Sequence, residues 1–229
     1  MKDNALDALV FDFDGVVVDS EPIHFAGFRD MLAGLGVELT RDDYYGKYLG
    51  FDDHDCFAAV MTDMGRPWSE QQIAELTAAK TQLVQRAIGE SIEALPGAVK
   101  LIAAADEAGI PLAICSGALR EEIVLACRCV GVLQHFTQIV SAEDVQAGKP
   151  DPQGYSLAVS RLAEATGRSL RAGQSIAIED SPAGIESAHG AGLKVLAVMT
   201  SYPAGPLGAA DLIVKSLADV KLADLEELL

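Results

Sequence analysis

The sequence has few basic residues and no long apolar run. Its 17 Lys and Arg residues stand against 34 Asp and Glu residues, so the formal net charge at pH 7 is −17. A surface this acidic repels the phosphates of nucleic acids, and no basic cluster in the sequence offsets that repulsion. No apolar stretch approaches the roughly 20 residues of a membrane-spanning helix. We therefore expect neither a nucleic-acid partner nor a membrane partner.

Cysteine and histidine are also scarce, with four of each in the chain. Cys127 and Cys129 lie two positions apart on a predicted helix and so point to different faces, while Cys115 falls in a predicted buried strand. No C-x-x-C pair occurs and the histidines are scattered, which argues against a zinc site. We interpret the cysteines, including Cys56, as reduced structural thiols and expect a cytoplasmic protein. Residues 1–4 lead straight into a predicted strand, so no signal peptide is expected.

The most informative segment is an Asp-x-Asp-Gly motif that directly follows the apolar run from Leu6 to Phe11. The run predicts a short buried strand. Residues i and i+2 of a strand point to the same side, so Asp12 and Asp14 leave its end together, and Gly15 allows the chain to turn. Two carboxylates this close repel each other unless a cation lies between them. The motif therefore predicts either a cation site or, more plainly, an acidic turn.

Polar residues also end the other predicted strands or lie in the loops between them. Ser116 and Gly117 follow a second apolar run, and their hydroxyl and backbone N–H groups suit a phosphate. Lys149 lies in a stiff Gly-Lys-Pro turn. Glu179 and Asp180 end a third apolar run, just before a Ser-Pro helix start. Since ligands of open α/β sheets bind at the carboxyl ends of the strands, these residues are candidates for one site.

Strands and helices alternate from residue 97 onward. Strands are predicted at 111–115, 138–141, 175–179, 195–198 and 211–214, with helices between most of them. This order predicts an α/β fold with a doubly wound parallel sheet, a Rossmann-like core. The interval from Glu21 to Ile92 shows only helical patterns and predicts a small all-helical domain. The expected domains are an α/β core at 1–20 and 93–229 and a helical domain at 21–92.

The order of these motifs resembles the four motifs of the haloacid-dehalogenase-like phosphohydrolases. The nearest subgroup is the β-phosphoglucomutase-like phosphatases, and the resemblance runs from residue 8 to about residue 214. It implies a four-helix cap that closes over the α/β core. It also implies a Mg²⁺-dependent phosphatase of a small phosphorylated metabolite, with sugar phosphates as the favoured class. We expect a monomer or a weak dimer.

The resemblance gives each catalytic candidate a role. Asp12 is the expected nucleophile that forms an aspartyl-phosphate, and Asp14 is the expected general acid and base. Lys149 would neutralise the phosphate, whereas the plain alternative is a solvated turn lysine. Ser116 and the Gly117 N–H would hold phosphate oxygens. The alternative for Ser116 is an N-cap of the following helix, and both roles could coexist.

The expected Mg²⁺ ligands are hard oxygen atoms. Asp12, the backbone carbonyl of Asp14, and Asp180 would supply them, with Glu179 either as a ligand or as a supporting group. The alternative for Glu179 is an acid that favours the N-terminus of the next helix.

Residues of the cap distinguish a phosphatase from a mutase in this subgroup. Mutases of the subgroup have a cap histidine, a cap lysine and an arginine in a Gly-x-x-Arg turn. His24 and Lys80 match the first two and are expected to bind substrate or phosphate. The turn here reads Gly50-Phe51-Asp52-Asp53, so Asp53 stands where the arginine would be and would repel a second phosphate. We therefore favour a phosphatase and keep a phosphosugar mutase as the alternative.

Two further alternatives are less compatible with the motifs. Dehalogenation uses an aspartate nucleophile but needs neither a metal nor Asp14. A non-catalytic binding protein would typically have lost Asp12 or Asp14, and both are present. In the cap, Trp68 follows a proline and is expected to be a packing residue.

Overall fold

The computed structural model describes residues 6–49 and 51–229, which fall into two compact units. The larger unit comprises the described residues up to Asp19 together with Ile92–Leu229, and the smaller one is Ser20–Ser91. Residues 1–4, for which we expected no signal peptide, and Gly50, which opens the turn compared with the mutases, lie outside the described residues. Within the described ranges, no helix combines the length and apolarity needed to cross a membrane.

A six-stranded parallel sheet forms the centre of the larger unit as described, in the order β3-β2-β1-β4-β5-β6. The strands are Ala8–Phe11 (β1), Leu112–Cys115 (β2), Gln138–Val140 (β3), Ser175–Glu179 (β4), Lys194–Val198 (β5) and Leu212–Val214 (β6). All residues of β1, β2 and β4 are buried, as expected for parallel strands covered on both faces. The predicted doubly wound sheet is confirmed.

Strand β1 occupies the position that matters for function. Val10 pairs with Ala113 of β2 on one side and with Ala177 of β4 on the other. The chain proceeds from β1 to β2 and β3 in one direction and continues with β4 to β6 in the other. The carboxyl ends of β1 and β4 therefore meet at the point where the strand order reverses, which is where open α/β sheets form their binding crevice.

The smaller unit consists of helices and their connecting loops, with no strand in the part that the structure describes. Its helices are Glu21–Ala33 (α1), Arg41–Asp43 (α2), Asp53–Asp63 (α3) and Glu70–Ser91 (α4), with a π-helical turn at Tyr44–Tyr48. They enclose an aromatic core in which the Phe28 and Phe57 rings lie 4.9 Å apart, edge to face. Trp68 packs against this core, in line with the expected packing role.

Five further helices belong to the larger unit as described. They are Ala98–Glu107 (α5), Arg120–Cys129 (α6), Gln153–Thr166 (α7), Pro182–Gly190 (α8) and Leu222–Glu226 (α9). The predicted start of α8 is confirmed, because Ser181 Oγ accepts a hydrogen bond from the Gly184 N–H (3.1 Å) and Pro182 is the first helical residue. The sequence did not predict α9, which is only five residues long.

The two chain segments next to the smaller unit run side by side within the larger one. Val18 forms an antiparallel bridge with Ala94, and the Leu95 N–H donates to the Val17 carbonyl (2.9 Å). The assignment of the two units as a catalytic core and a cap stays a prediction at this point.

The turn before α5 generates a stability prediction. Gly97 has φ +89°, and a Cβ atom there would lie 2.1 Å from the backbone nitrogen of Ala218. Gly97→Ala should therefore lower the free energy of unfolding by more than about 3 kcal/mol, because the backbone strain adds to a clash that only a backbone shift relieves.

The matched control is Gly109→Ala. Gly109 has φ +73° but nothing within 4 Å of the added Cβ, so only the left-handed strain of about 1–2 kcal/mol applies. Urea unfolding measures both variants. Equal losses at the two positions would contradict the close packing of Gly97 on 217–218.

Candidate active site

Asp12 directly follows the central strand and is almost fully buried, with 8 % exposure. Its backbone N–H donates to the Ile178 carbonyl of β4 (2.9 Å), which continues the β1–β4 ladder and fixes the start of the turn. Gly15 has φ +76°, and the carboxylate of Asp180 lies so close that a Cβ at Gly15 would be 1.9 Å from Asp180 Oδ2. The glycine therefore allows the turn and lets the end of β4 approach Asp12.

Lys149 extends from the loop before α7 to the same place. Its Nζ lies 2.8 Å from Asp12 Oδ1 and 2.6 Å from Glu179 Oε1, and 17 % of its side chain is exposed. The alternative of a solvated turn lysine is therefore wrong. One ammonium group bridges the ends of β1 and β4.

The loop that carries Lys149 is held by a second set of ion pairs. Asp144 accepts hydrogen bonds from Arg120 Nη2 (2.5 Å) and Arg161 Nη1 (2.9 Å), and also from the Ser141 N–H (2.9 Å). Through Arg120 and Arg161, these contacts join the loop after β3 to the start of α6 and to α7. They restrict the chain segment that leads to Lys149.

Glu179 is fully buried and accepts five hydrogen bonds. Its Oε1 accepts from Lys149 Nζ (2.6 Å) and Tyr155 Oη (2.8 Å). Its Oε2 accepts from the Asp180 N–H (3.0 Å), the Ser181 N–H (3.1 Å) and Ser181 Oγ (3.0 Å). Since a carboxylate has about four lone-pair sites, this acid is fully occupied by protein donors. Its position at the start of α8 is thus also compatible with the helix-dipole alternative.

Asp180 faces Asp12 from the end of β4. It is 3 % exposed, and its Oδ2 accepts a hydrogen bond from Ser201 Oγ (2.5 Å). Oxygen atoms of Asp12, Glu179 and Asp180 lie within 4.8 Å of one another, so these three predicted residues form one buried acidic cluster. The Asp14 carboxylate is not part of that set; Asp14 is half-buried, and its backbone pairs with Val18.

The cluster carries more negative than positive charge. Burial, the proximity of Glu179 and that of Asp14 raise the pKa of Asp12, against the opposing effect of Lys149. Burial and the charge of Asp12 likewise raise the pKa of Asp180. Burial alone would also raise the pKa of Glu179, but the Lys149 ammonium and the hydrogen bonds from Tyr155 and Ser181 together lower that pKa. A divalent cation beside Asp12 and Asp180 would balance the excess charge, and hard carboxylate oxygens suit such an ion.

Ser116 and Gly117 lie at the end of the neighbouring strand. Phe11 pairs with Ile114, so Ser116 stands one residue beyond the level of Asp12. Ser116 Oγ accepts from the Ala118 N–H (3.0 Å), whereas the residue that precedes α6 is Leu119; the alternative of Ser116 as its N-cap is therefore wrong. Gly117 is exposed.

His24 and Lys80 meet inside the smaller unit. The fully buried Lys80 Nζ contacts the Asp53 carboxylate, lies 2.9 Å from His24 Nδ1, and sits 3.8 Å from the centre of the Phe28 ring. Burial and the Lys80 charge lower the pKa of His24 to about 3, so this histidine is neutral at physiological pH. Asp53 therefore differs from the expected free repulsive charge: it is the partner of Lys80.

A profile of the haloacid dehalogenase-like hydrolases matches residues 9–198, most of the chain. The chain belongs to this family.

Similar proteins of the family include phosphatases. Hexitol phosphatase A of Escherichia coli (strain K12) is 30% identical, covering 92% of this chain and 91% of that protein. Validoxylamine A 7'-phosphate phosphatase of Streptomyces hygroscopicus subsp. limoneus is 28% identical, covering 93% and 94%. These relatives confirm the predicted enzyme class for this haloacid dehalogenase-like hydrolase, a phosphoric monoester hydrolase.

A solved structure of the family supports the same placement. CbbY from Rhodobacter sphaeroides, in complex with phosphate, has a TM-score of 0.82 at 26% identity, covering 93% of this chain and 96% of that one. A mutant of the same protein is solved with xylulose-(1,5)bisphosphate. Membership in the phosphatase subgroup with this fold is therefore confirmed.

Sequence reasoning missed two residues of this hydrolase's site. Tyr155 donates to Glu179, and Ser201 donates to Asp180. Tyr155 follows Lys149 by six positions, at the start of a predicted helix, but nothing in the sequence shows that its hydroxyl reaches Glu179. Nothing in the sequence around Ser201 distinguishes it from an ordinary loop serine.

Proposed function

We propose that this protein is a Mg²⁺-dependent phosphatase of small phosphorylated sugars or polyols, acting through an aspartyl-phosphate on Asp12. The contact of Lys149 with both Asp12 and Glu179, at the switch point of the sheet, carries this proposal. It places the Lys149 ammonium group, on a side chain that is 17 % exposed, beside the Asp12 carboxylate at the end of the central strand. Phosphoryl transfer needs this combination of positioning and charge stabilisation.

In the first half of the reaction, an Asp12 oxygen attacks phosphorus and the ester bond to the sugar oxygen breaks. Lys149 balances charge on the transferring phosphoryl group, and Ser116 and the Gly117 N–H bind its oxygens. Asp14 donates a proton to the departing sugar oxygen, so the alcohol leaves neutral. The product is a mixed anhydride between phosphate and Asp12.

In the second half, Asp14 takes a proton from a water molecule while the oxygen of that water attacks phosphorus. The bond between phosphorus and the Asp12 oxygen breaks, which returns the free carboxylate and releases inorganic phosphate. Asp14 is thereby reprotonated for the next turnover. One residue serves as acid and then as base because the two steps are chemically the reverse of each other.

The donor set fits Mg²⁺. Asp12, the backbone carbonyl of Asp14 and Asp180 would hold the ion, and Ser201 would orient Asp180. Glu179 would act indirectly, since its oxygens are occupied by five protein donors. When bound, the ion would neutralise phosphate charge and orient a phosphate oxygen.

Singly phosphorylated substrates are the favoured class within this proposal. We propose that the Ser20–Ser91 unit is the substrate-selecting cap, with His24 and Lys80 as its polar groups. Asp53 cancels the charge of Lys80, and His24 is neutral. A second phosphate would therefore find no net positive charge in this cluster, which favours a phosphatase over a mutase.

Asp12→Asn tests the nucleophile. The substitution keeps the size of the side chain but removes its nucleophilic oxygen anion, so turnover of p-nitrophenyl phosphate with Mg²⁺ should fall more than a hundredfold. Asp219→Asn, at an exposed position of the same unit, is the control and should retain wild-type turnover. Activity of the Asp12 variant above about a hundredth of wild type would refute the assignment.

Chelation tests the metal. Excess EDTA should abolish turnover and added Mg²⁺ should restore it, because the acidic cluster cannot face a phosphate dianion unneutralised. Ca²⁺ should restore little, since it prefers more ligands and a looser geometry. Undiminished activity in excess chelator would contradict the metal requirement and show that Lys149 neutralises the phosphate without a metal ion.

The cap prediction separates phosphatase from mutase. β-Glucose 1-phosphate should give inorganic phosphate or no reaction, and no glucose 6-phosphate in an assay coupled to glucose-6-phosphate dehydrogenase and primed with the bisphosphate. Asp53→Asn removes the counter-charge of Lys80 and should raise turnover of doubly relative to singly phosphorylated substrates. Steady formation of glucose 6-phosphate by the wild type would contradict the phosphatase assignment.

A further inference from the structure

Tyr155 is fully buried at the start of α7 and contacts both members of the Lys149–Glu179 ion pair. Its Oη donates to Glu179 Oε1 (2.8 Å), the same oxygen that accepts from Lys149 Nζ. The Lys149 Nζ also lies 5.2 Å from the centre of the Tyr155 ring. The phenol and the ammonium therefore share one carboxylate oxygen.

This sharing fixes the direction of Lys149. The other oxygen, Oε2, is held by the first residues after β4 and by Ser181 Oγ, so the plane of the Glu179 carboxylate is set by the helix start. On the Oε1 side, only Tyr155 and Lys149 donate among the contacts of the described residues. Because an oxygen of a carboxylate has about two acceptor sites, the Tyr155 hydroxyl takes one of those on Oε1 and leaves one for Lys149.

We propose that Tyr155 is a positioning residue for phosphoryl transfer, holding Glu179 so that Lys149 stays on Asp12. The inference rests on the proposed function, because it acts on the group that would neutralise the phosphate. It differs from a packing role, which the ring alone would fulfil. The ring belongs to the core beside β2 and α8, whereas the hydroxyl serves the site.

Tyr155→Phe separates the two roles, since it keeps the ring and removes the hydroxyl. On p-nitrophenyl phosphate with saturating Mg²⁺, kcat should fall about tenfold while KM changes less than about twofold, because a hydrogen bond to a charged group is lost without loss of binding groups. Tyr48→Phe is the matched control: it removes the hydrogen bond that the buried Tyr48 hydroxyl donates to the exposed Asp63 carboxylate in the smaller unit, and it should keep wild-type kcat.

A double-mutant cycle shows whether Tyr155 acts through the lysine. In a Lys149→Met background, adding Tyr155→Phe should change kcat less than about twofold, since the group being positioned is gone. Activity is measured at a temperature where near-ultraviolet circular dichroism shows each variant to be native, so loss of fold is not read as loss of positioning.

Each outcome decides the matter. A wild-type kcat in folded Tyr155→Phe, or a tenfold loss that persists in the Lys149→Met background, overturns the positioning role and leaves the proposed function standing. A wild-type protein without phosphatase activity on aryl and sugar phosphates overturns the proposed function and this inference together.

Discussion

The contact of one ammonium group with two buried carboxylates is the interaction on which the site depends. Lys149 joins Asp12 at the end of β1 to Glu179 at the end of β4. Removing one member of a buried ion pair leaves an uncompensated charge that costs about 3–5 kcal/mol. The same contact therefore constrains the strand ends, the loop that Asp144 holds, and the start of α8. Stability and the geometry of the candidate site therefore depend on the same groups.

Much of this arrangement could be predicted from the sequence because its signals are short motifs at the ends of predicted strands. Short apolar runs that end in polar residues predict strands, and parallel strands bring their carboxyl ends to one edge of a sheet. Asp12, Lys149, Glu179 and Asp180 were predicted and do come together. Their individual roles, and those of Asp14, Ser116 and Gly117, stay proposals. The family profile and the phosphatase relatives add the enzyme class.

The contacts that the sequence could not predict are individual side-chain pairings that no motif at a strand end marks. Tyr155 and Glu179 are 24 positions apart, and Ser201 and Asp180 are 21 apart, so no local pattern reveals either hydrogen bond. Lys80 shows the same limit more clearly. In the sequence it is an available cation and Asp53 a repulsive charge 27 positions away, whereas the fold pairs the two and buries the lysine. In the function that we propose, the preference for a phosphatase rests on neutralisation of Lys80 by Asp53 instead of on repulsion by a free Asp53.

Covalent phosphorylation of Asp12 is the step on which the proposed function depends. It can be measured by rapid acid quenching of the enzyme during turnover of a sugar phosphate with Mg²⁺, followed by proteolysis and tandem mass spectrometry of the peptide that contains Asp12. We predict one added phosphoryl group on Asp12, absent without substrate and absent in Asp12→Asn. A phosphoryl group on Ser116, or turnover with no phosphorylated residue at any quench time, would contradict it.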